Sequence, residues 1–527
     1  MRKPLLLLLT LLASSAAISQ IALSPDRKMA TVEKLVETFY AGDIDTTKMV
    51  DEGIRAMLKT LDPHSTYTTP EETKDLNEPL QGNFSGIGIQ FQMLNDTLYV
   101  IQTISGGPSE RVGLLAGDRI IEANDSMISG VKRKNSDIQK ILRGPKGTEA
   151  NIKVKRGSSP ELINFRIIRD DIPIYSVDAA YMASPGTGYI RISRFAEDTP
   201  REVEEAIKRL RAEGMENLII DLQSNGGGYL QSAVMLAEMF LDPGSLIVFT
   251  DGDRIDSQHY YSRGGALMPD GRIVVMVDQY SASASEILSG AIQDNDRGLV
   301  VGRRTFGKGL VQRPFPFPDG SMIRLTVSRY HTPSGRCIQT PYTPGETEDY
   351  SLDLKDRYDS GEYYCADSVK LDRSKPYLTL RNGRTVYGGG GIMPDRFVAV
   401  DTTQWTPYYR DLMAKGIYNR YAVQYVDSHR AELKELYPTE TGFIEGFDIT
   451  PSMVDDIVKM GTDDGVELNS EQLATSRPLI CRIVKGIIGR DLFEQSTYFR
   501  IVNPAEPIYS TALELIEDPA AYEELLK

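Results

Sequence analysis

A serine hydroxyl attacks a carbonyl only when a nearby base takes its proton, and a lysine can be that base only when it is neutral. The stretch "SASASEILSGAI" at 281–292 opens with three alternating serines, Ser281, Ser283 and Ser285, and "RRTFGKGLVQ" at 303–312 holds a glycine-flanked lysine, Lys308. The ordinary lysine pKa of about 10.4 must fall towards ~7 to 8 for this task, which burial in an apolar loop can do. Phe306, Leu310 and Val311 supply that apolar mass, Gly307 and Gly309 allow close backbone approach, and Gln312 stands four residues on, where it could aim the amine. The oxyanion of a tetrahedral intermediate needs two amide donors, for which Ala284 and Gly227 or Gly228 of "QSNGGGYL" at 223–230 are the candidates. A plainer reading stands beside this one. Ser283 and Glu286 also fit the S-x-x-E capping box of a helix N-terminus.

Chemistry at these residues requires elements that bring them together. Between about 180 and 335, apolar runs of four to six residues alternate with longer helical patterns, which predicts an α/β layer with parallel strands. The strand "RIVVMVD" at 272–278 runs straight into the serines, so the following helix starts at that strand's carboxyl end. A helix of about 12 residues spans ~18 Å and the returning strand "GLVVG" at 298–302 roughly 16 Å, so a right-handed crossover delivers the lysine loop to the same edge. The strand "NLIIDL" at 217–222 likewise ends at the glycine run. Serine, lysine and free amides thus converge at the carboxyl edge, where open α/β sheets place their active sites.

The remainder of the 527 residues sets the context. Acidic residues outnumber basic ones by 74 to 59, for a net charge of −15, which argues against a general nucleic-acid binder. Residues 1–19 read as a signal peptide: two basic residues, an apolar run too short to span a bilayer, then small residues. That pattern predicts export to the periplasm or cell envelope of a Gram-negative bacterium. Cys337, Cys365 and Cys481 allow one bridge at most, and the four histidines show no ligand spacing, so neither a metal nor another cofactor is expected. Residues 26–80 read as a helical N-terminal segment with Val32, Leu35, Val36 and Phe39 on one face, which must cover the next domain or a second copy of the chain. Residues 84–170 break into short glycine-punctuated strands. Residues 341–375 read as an acidic, tyrosine-rich surface insertion within a core at 175–400, and residues 402–527 as a mostly helical C-terminal domain.

Two resemblances follow. The segment 84–170 resembles a PDZ domain in "FSGIGIQF" and "SGGPSERVGLLAGDRIIEAND", which implies that the amides of Ile87, Gly88 and Ile89 receive a peptide's terminal carboxylate. The motifs "SASASEILSGAIQDNDRGLVVGRRTFGKGLVQ", "DLQSNGGG", "TPSGR", "GIMPD" and "LDPHSTY" together resemble the C-terminal processing, or tail-specific, serine endopeptidases. In that family nucleophile and base lie 25 residues apart, a separation that selects Ser283 with Lys308 and puts the supporting glutamine at Gln312. The resemblance implies a multidomain α/β protein: a crotonase-like (ClpP/crotonase-type) protease core with an inserted PDZ-like domain, an N-terminal helical segment and a helical extension. It implies cleavage of proteins with exposed C-termini, no cofactor, and pairing of copies through the N- or C-terminal helical regions. One departure is Gln223, where relatives usually carry arginine. The competing reading is an inert PDZ scaffold that holds C-terminal peptides.

Overall fold

The computed structural model describes residues 24–527 except 105, 158, 371 and 372, so the signal-peptide reading of 1–19 lies outside the described residues. At its centre is a six-stranded sheet in the order Val177–Ser184, Thr187–Ile192, Asn217–Asp221, Ile273–Val277, Leu299–Gly302, Arg396–Phe397. The first pair is antiparallel and the others are parallel. Asp221 lies opposite Met276 and Val277 opposite Gly302, so three successive strands end at one edge.

The central strand Ile273–Val277 is apolar at every position, and its neighbours are so through their middles, because both sheet faces are covered. Leu218, Ile220, Ile273, Val275 and Val300 pack with the helices Thr199–Ala212, Leu230–Glu238 and Ala284–Asp294. Ile219, Val274, Met276, Leu299 and Val301 face the other way, onto Ile508, Tyr509, Ala512 and Ile516. These last residues belong to the helix Pro507–Glu517, and the helix Pro519–Leu526 adds Tyr522, whose hydroxyl donates to the Ile273 carbonyl at 2.9 Å. The C-terminal stretch is therefore divided. A separate helical core, built around Leu412, Phe443, Ile480 and Ile488, occupies the middle of it, while the last twenty residues form a layer of the central sheet. An all-apolar strand says that both faces are buried but not which helix buries them.

A second sheet joins Thr66–Thr68, Met322–His331, Leu246–Gly252 and Ile255–Tyr261, with Leu310–Pro316 also paired to Met322–His331. Its first strand interrupts the N-terminal segment, otherwise the helices Pro25–Phe39, Thr46–Lys59 and Pro70–Gln81, and pairs Thr66 with Arg324. The segment 84–170 forms its own barrel-like unit of five main strands around Leu98, Ile120, Ile138 and Ile152, all fully buried. It leaves and rejoins the core through the pair Asn83–Gly86 and Asp170–Pro173. Residues 341–375 are more than surface. They hold the helix Thr347–Asp359 and bury Arg357, Glu362 and Tyr363. Their burial rests on ion pairing, which hydropathy does not register. All three cysteines are free thiols.

If the last helices are a core layer, Ile516→Ala costs about 2–5 kcal/mol in urea unfolding, the usual range for a buried isoleucine truncation. Tyr522→Phe costs about 0.5–1.5 kcal/mol for its hydrogen bond to Ile273. Unchanged stability in both variants would make these helices peripheral.

Candidate active site

Three loops leave the carboxyl edge of the central sheet and bind one another. The Ala282 amide donates to the Asn225 carbonyl at 2.9 Å, Ser281 Oγ donates to the Leu222 carbonyl at 2.8 Å, and the Phe306 amide donates to the Ser281 carbonyl at 3.0 Å. Of the three serines, Ser281 and Ser285 are fully buried and their hydroxyls are engaged with backbone, Ser285 Oγ with the Asn225 carbonyl at 2.9 Å. Ser283 is partly exposed. It sits at φ 56°, ψ −112°, a conformation costing a non-glycine residue about 1–3 kcal/mol that surrounding structure must hold in place. The Glu286 amide bonds the Ser283 carbonyl at 2.9 Å, so helix capping does not require the hydroxyl.

Gly227 has φ 98°, and a Cβ there would lie 2.8 Å from Ser283 Cβ, so only glycine lets this loop close on the serine. Its amide is already bonded to Asn225 Oδ1 at 2.9 Å, which takes Gly227 off the list of free donors in this arrangement. The amides of Gly228 and Ala284 have no acceptor among the described residues, and Ala284 opens the helix Ala284–Asp294, whose N-terminal dipole favours negative charge.

The carboxylate of Glu286 does more than the local capping its sequence position suggests. Fully buried, it accepts from the Ser283 amide (2.8 Å), the Gly307 amide (2.7 Å), the Lys308 amide (2.9 Å) and Thr305 Oγ1 (2.5 Å). Burial pushes its carboxyl up to about 7, against the pull of those donors. Tyr330, also buried, places its hydroxyl between the carbonyls of Ser283, at 3.1 Å, and Lys308. Serine and lysine are thus fixed to each other by backbone at two points. The S-x-x-E pattern was the only sequence signal for Glu286, and it suggests a purely local job.

Lys308 is held below its ordinary pKa by burial first and by the charge of Arg324 second, while Glu286 and Asp62 act the other way. His64, in the N-terminal segment, is pushed down to about 4 by burial and by Lys308, and its Nε2 lies 2.9 Å from the Tyr350 hydroxyl. Asp62 accepts from Ser65 Oγ at 2.5 Å and from Thr326 Oγ1 at 2.9 Å, so "LDPHSTY" forms a wall of the lysine pocket. Gln312 donates to the Leu310 carbonyl at 3.2 Å and to Thr326 Oγ1 at 3.4 Å rather than bonding Lys308, and no hydrogen bond joins Lys308 Nζ to Ser283 Oγ. Loose catalytic contacts are common before substrate binds.

Residues 341–375 brace the lysine loop from behind. Glu362 accepts from Arg304 at 2.8 and 2.6 Å and from Arg357 Nε at 2.7 Å, and Arg357 also donates to the carbonyls of Arg304 (2.7 Å) and Thr305 (3.0 Å). In the strand-rich unit, Ile87 is buried and Gly88 has φ 74°, with its carbonyl bonded to the Ile104 amide at 3.0 Å. The Ile87 and Gly88 amides are without acceptors among the described residues, and Ile89 begins the edge strand Ile89–Leu94.

Comparison with known proteins gives the family. Residues 186–351 match Peptidase family S41, residues 85–167 match the PDZ domain, and residues 408–494 match a family of unknown function. A carboxy-terminal-processing protease of Bartonella bacilliformis is 33% identical over 308 residues, covering 58% of this chain and 70% of the relative. The chain belongs to the carboxy-terminal-processing proteases. It is accordingly a serine-type peptidase with a PDZ domain. A probable CtpA-like serine protease of Staphylococcus aureus is 35% identical over 314 residues, 59% of this chain and 62% of that protein. A solved photosystem II D1 C-terminal processing protease aligns at 29% identity over 58% of this chain and 83% of its own, with a TM-score of 0.34. No described helix is long and apolar enough to cross a membrane.

Glu362→Ala would leave two guanidinium groups buried without their carboxylate, a loss of about 3–5 kcal/mol in unfolding experiments. Because the brace holds the lysine loop, kcat of the folded variant falls while KM changes little. An unaltered kcat would show that the loop keeps its place without the brace.

Proposed function

We propose that this protein is an exported endopeptidase that holds the C-terminus of a protein in its PDZ domain and cuts the tail with Ser283 as nucleophile and Lys308 as base. One observation carries the reading: the only partly exposed serine of the three shares the Glu286 carboxylate with the backbone of a half-buried lysine of lowered pKa. Neutral Lys308 takes the Ser283 proton as Oγ attacks the scissile carbonyl, and returns it to the leaving amine. The amides of Ala284 and Gly228 receive the oxyanion, and water then hydrolyses the acyl-serine ester. For this Lys308 must swing onto Ser283, and Gln312 must exchange Thr326 for the lysine amine, a closure that substrate binding drives.

The terminal carboxylate docks on the amides at Ile87, Gly88 and Ile89 while the peptide adds a strand beside Ile89–Leu94. The parallel sheet with helices on both faces is consistent with a crotonase-like core. The basic, apolar and small residues at 1–19 favour the periplasm or cell envelope of a Gram-negative bacterium. Exposed Val32, Leu35 and Phe39 favour pairing of two copies through the N-terminal helices.

Cleavage of an unfolded protein is abolished in Ser283→Ala and in Lys308→Ala, and activity surviving in both would end the Ser-Lys assignment. Since the lysine must be neutral, kcat/KM of the wild type rises with pH through a midpoint below 10.5, the ordinary lysine value. A rate independent of pH from 6 to 10 would contradict this. Amidating the substrate's C-terminus slows cleavage, chiefly through KM; equal rates for both forms would count against tail capture.

A further inference from the structure

A cavity of about 750 Å³ opens beside the serine loop, between the sheet edge, the 341–375 segment and the helical middle of the C-terminal stretch. Its rim carries Tyr280, Tyr364 and Trp405, each 40–50% exposed, an unusual concentration of open aromatic faces. Its cationic groups are also unusual. Arg303, 9% exposed, donates to Gln279 Oε1 at 2.9 Å and to the Val398 carbonyl at 3.5 Å, and neither it nor Arg410 nor Arg482 has a carboxylate in salt-bridge range among the described residues. Arg303 already feels the Asp278 and Glu506 carboxylates, but in a chain with 74 acidic residues against 59 basic ones, Arg410 and Arg482 face the cavity without an ion-pair partner and are poised for acids from outside. The carboxylates at the same site are turned to their own backbone: Asp401 to Thr403, and Glu506 to the Tyr509 amide at 2.9 Å.

Position selects the kind of acid. Tyr280 precedes Ser283 by three residues, so the rim lies within about 11 Å of the nucleophile along the chain. Three or four residues of extended polypeptide span that distance. We infer that this cavity is a second substrate subsite, which takes an acidic, aromatic-containing stretch of polypeptide a few residues from the scissile bond. The aromatic rims stack on side chains, and Arg410 and Arg482 bind carboxylates. The inference rests on the endopeptidase reading above, but it is tested by binding alone.

Trp405 is the only tryptophan in the sequence, so its fluorescence reports on the cavity directly. The full chain carrying Ser283→Ala is titrated with a C-terminally amidated Glu-Tyr repeat peptide, with its Gln-Tyr counterpart and with an acidic oligogalacturonate. Amidation keeps the peptide from competing through a terminal carboxylate, and the variant prevents cleavage. The acidic peptide shifts tryptophan emission saturably, and binding weakens by about tenfold or more with the Gln-Tyr peptide, in Arg482→Ala and in Arg410→Ala, as expected for lost charge-assisted bonds. No saturable shift, or equal response to both peptides, overturns the inference. Saturation by the oligogalacturonate in place of the peptide would assign the cavity to a glycan and overturn it as well. Failure here leaves wild-type cleavage untouched, whereas failure of the endopeptidase reading leaves this binding intact.

Discussion

The carboxylate of Glu286 has no access to water, yet it accepts four hydrogen bonds from two separate loops, those of Ser283 and Lys308. Burying such a group costs several kcal/mol unless donors replace its hydration, so each of the four is held by the penalty of losing it. Two of the donors are the amides of Ser283 and Lys308, the proposed nucleophile and base. The strained backbone of Ser283 persists because this carboxylate, the Tyr330 hydroxyl and the glycine loop fix it from three sides. Positions are thus set by main chain, while the Lys308 amine and the Ser283 hydroxyl stay free to meet when substrate arrives.

Around that centre, each layer supports the next. Thr305 links Glu286 to the Ile392 amide at 2.6 Å, and the buried pair of arginines on Glu362 holds the backbone on either side of it. The strand Thr66–Thr68 brings Asp62 and His64 to the lysine pocket, where burial holds the Lys308 amine below its ordinary pKa although Asp62 pulls the other way. Beneath the edge, the final helices seal the face of the sheet opposite the catalytic helix. Segments that look like appendages along the chain are therefore supports of one site.

Much of this was legible from residues alone. Continuous apolar runs such as "IVVMV" revealed buried parallel strands, and the lengths of helix and returning strand were enough to bring Lys308 to the edge of the serines. Local sequence could not choose among Ser281, Ser283 and Ser285, because the choice depends on which hydroxyls the neighbouring loop consumes. Glu286 looked like a cap since its other three donors come from a loop some twenty residues away. The brace at Arg357 and Glu362 was hidden because paired charges leave no apolar period, and the last helices because amphipathicity names a face without naming its partner.

The claim that the Glu286 carboxylate aligns nucleophile and base is tested most directly by the rate of Glu286→Gln. Glutamine keeps the shape but sets an amide NH2 against N–H donors that need an acceptor. The account predicts a folded enzyme whose kcat falls by about 100-fold, the scale of an ångström misplacement at a reacting centre. A kcat near that of the wild type would contradict it.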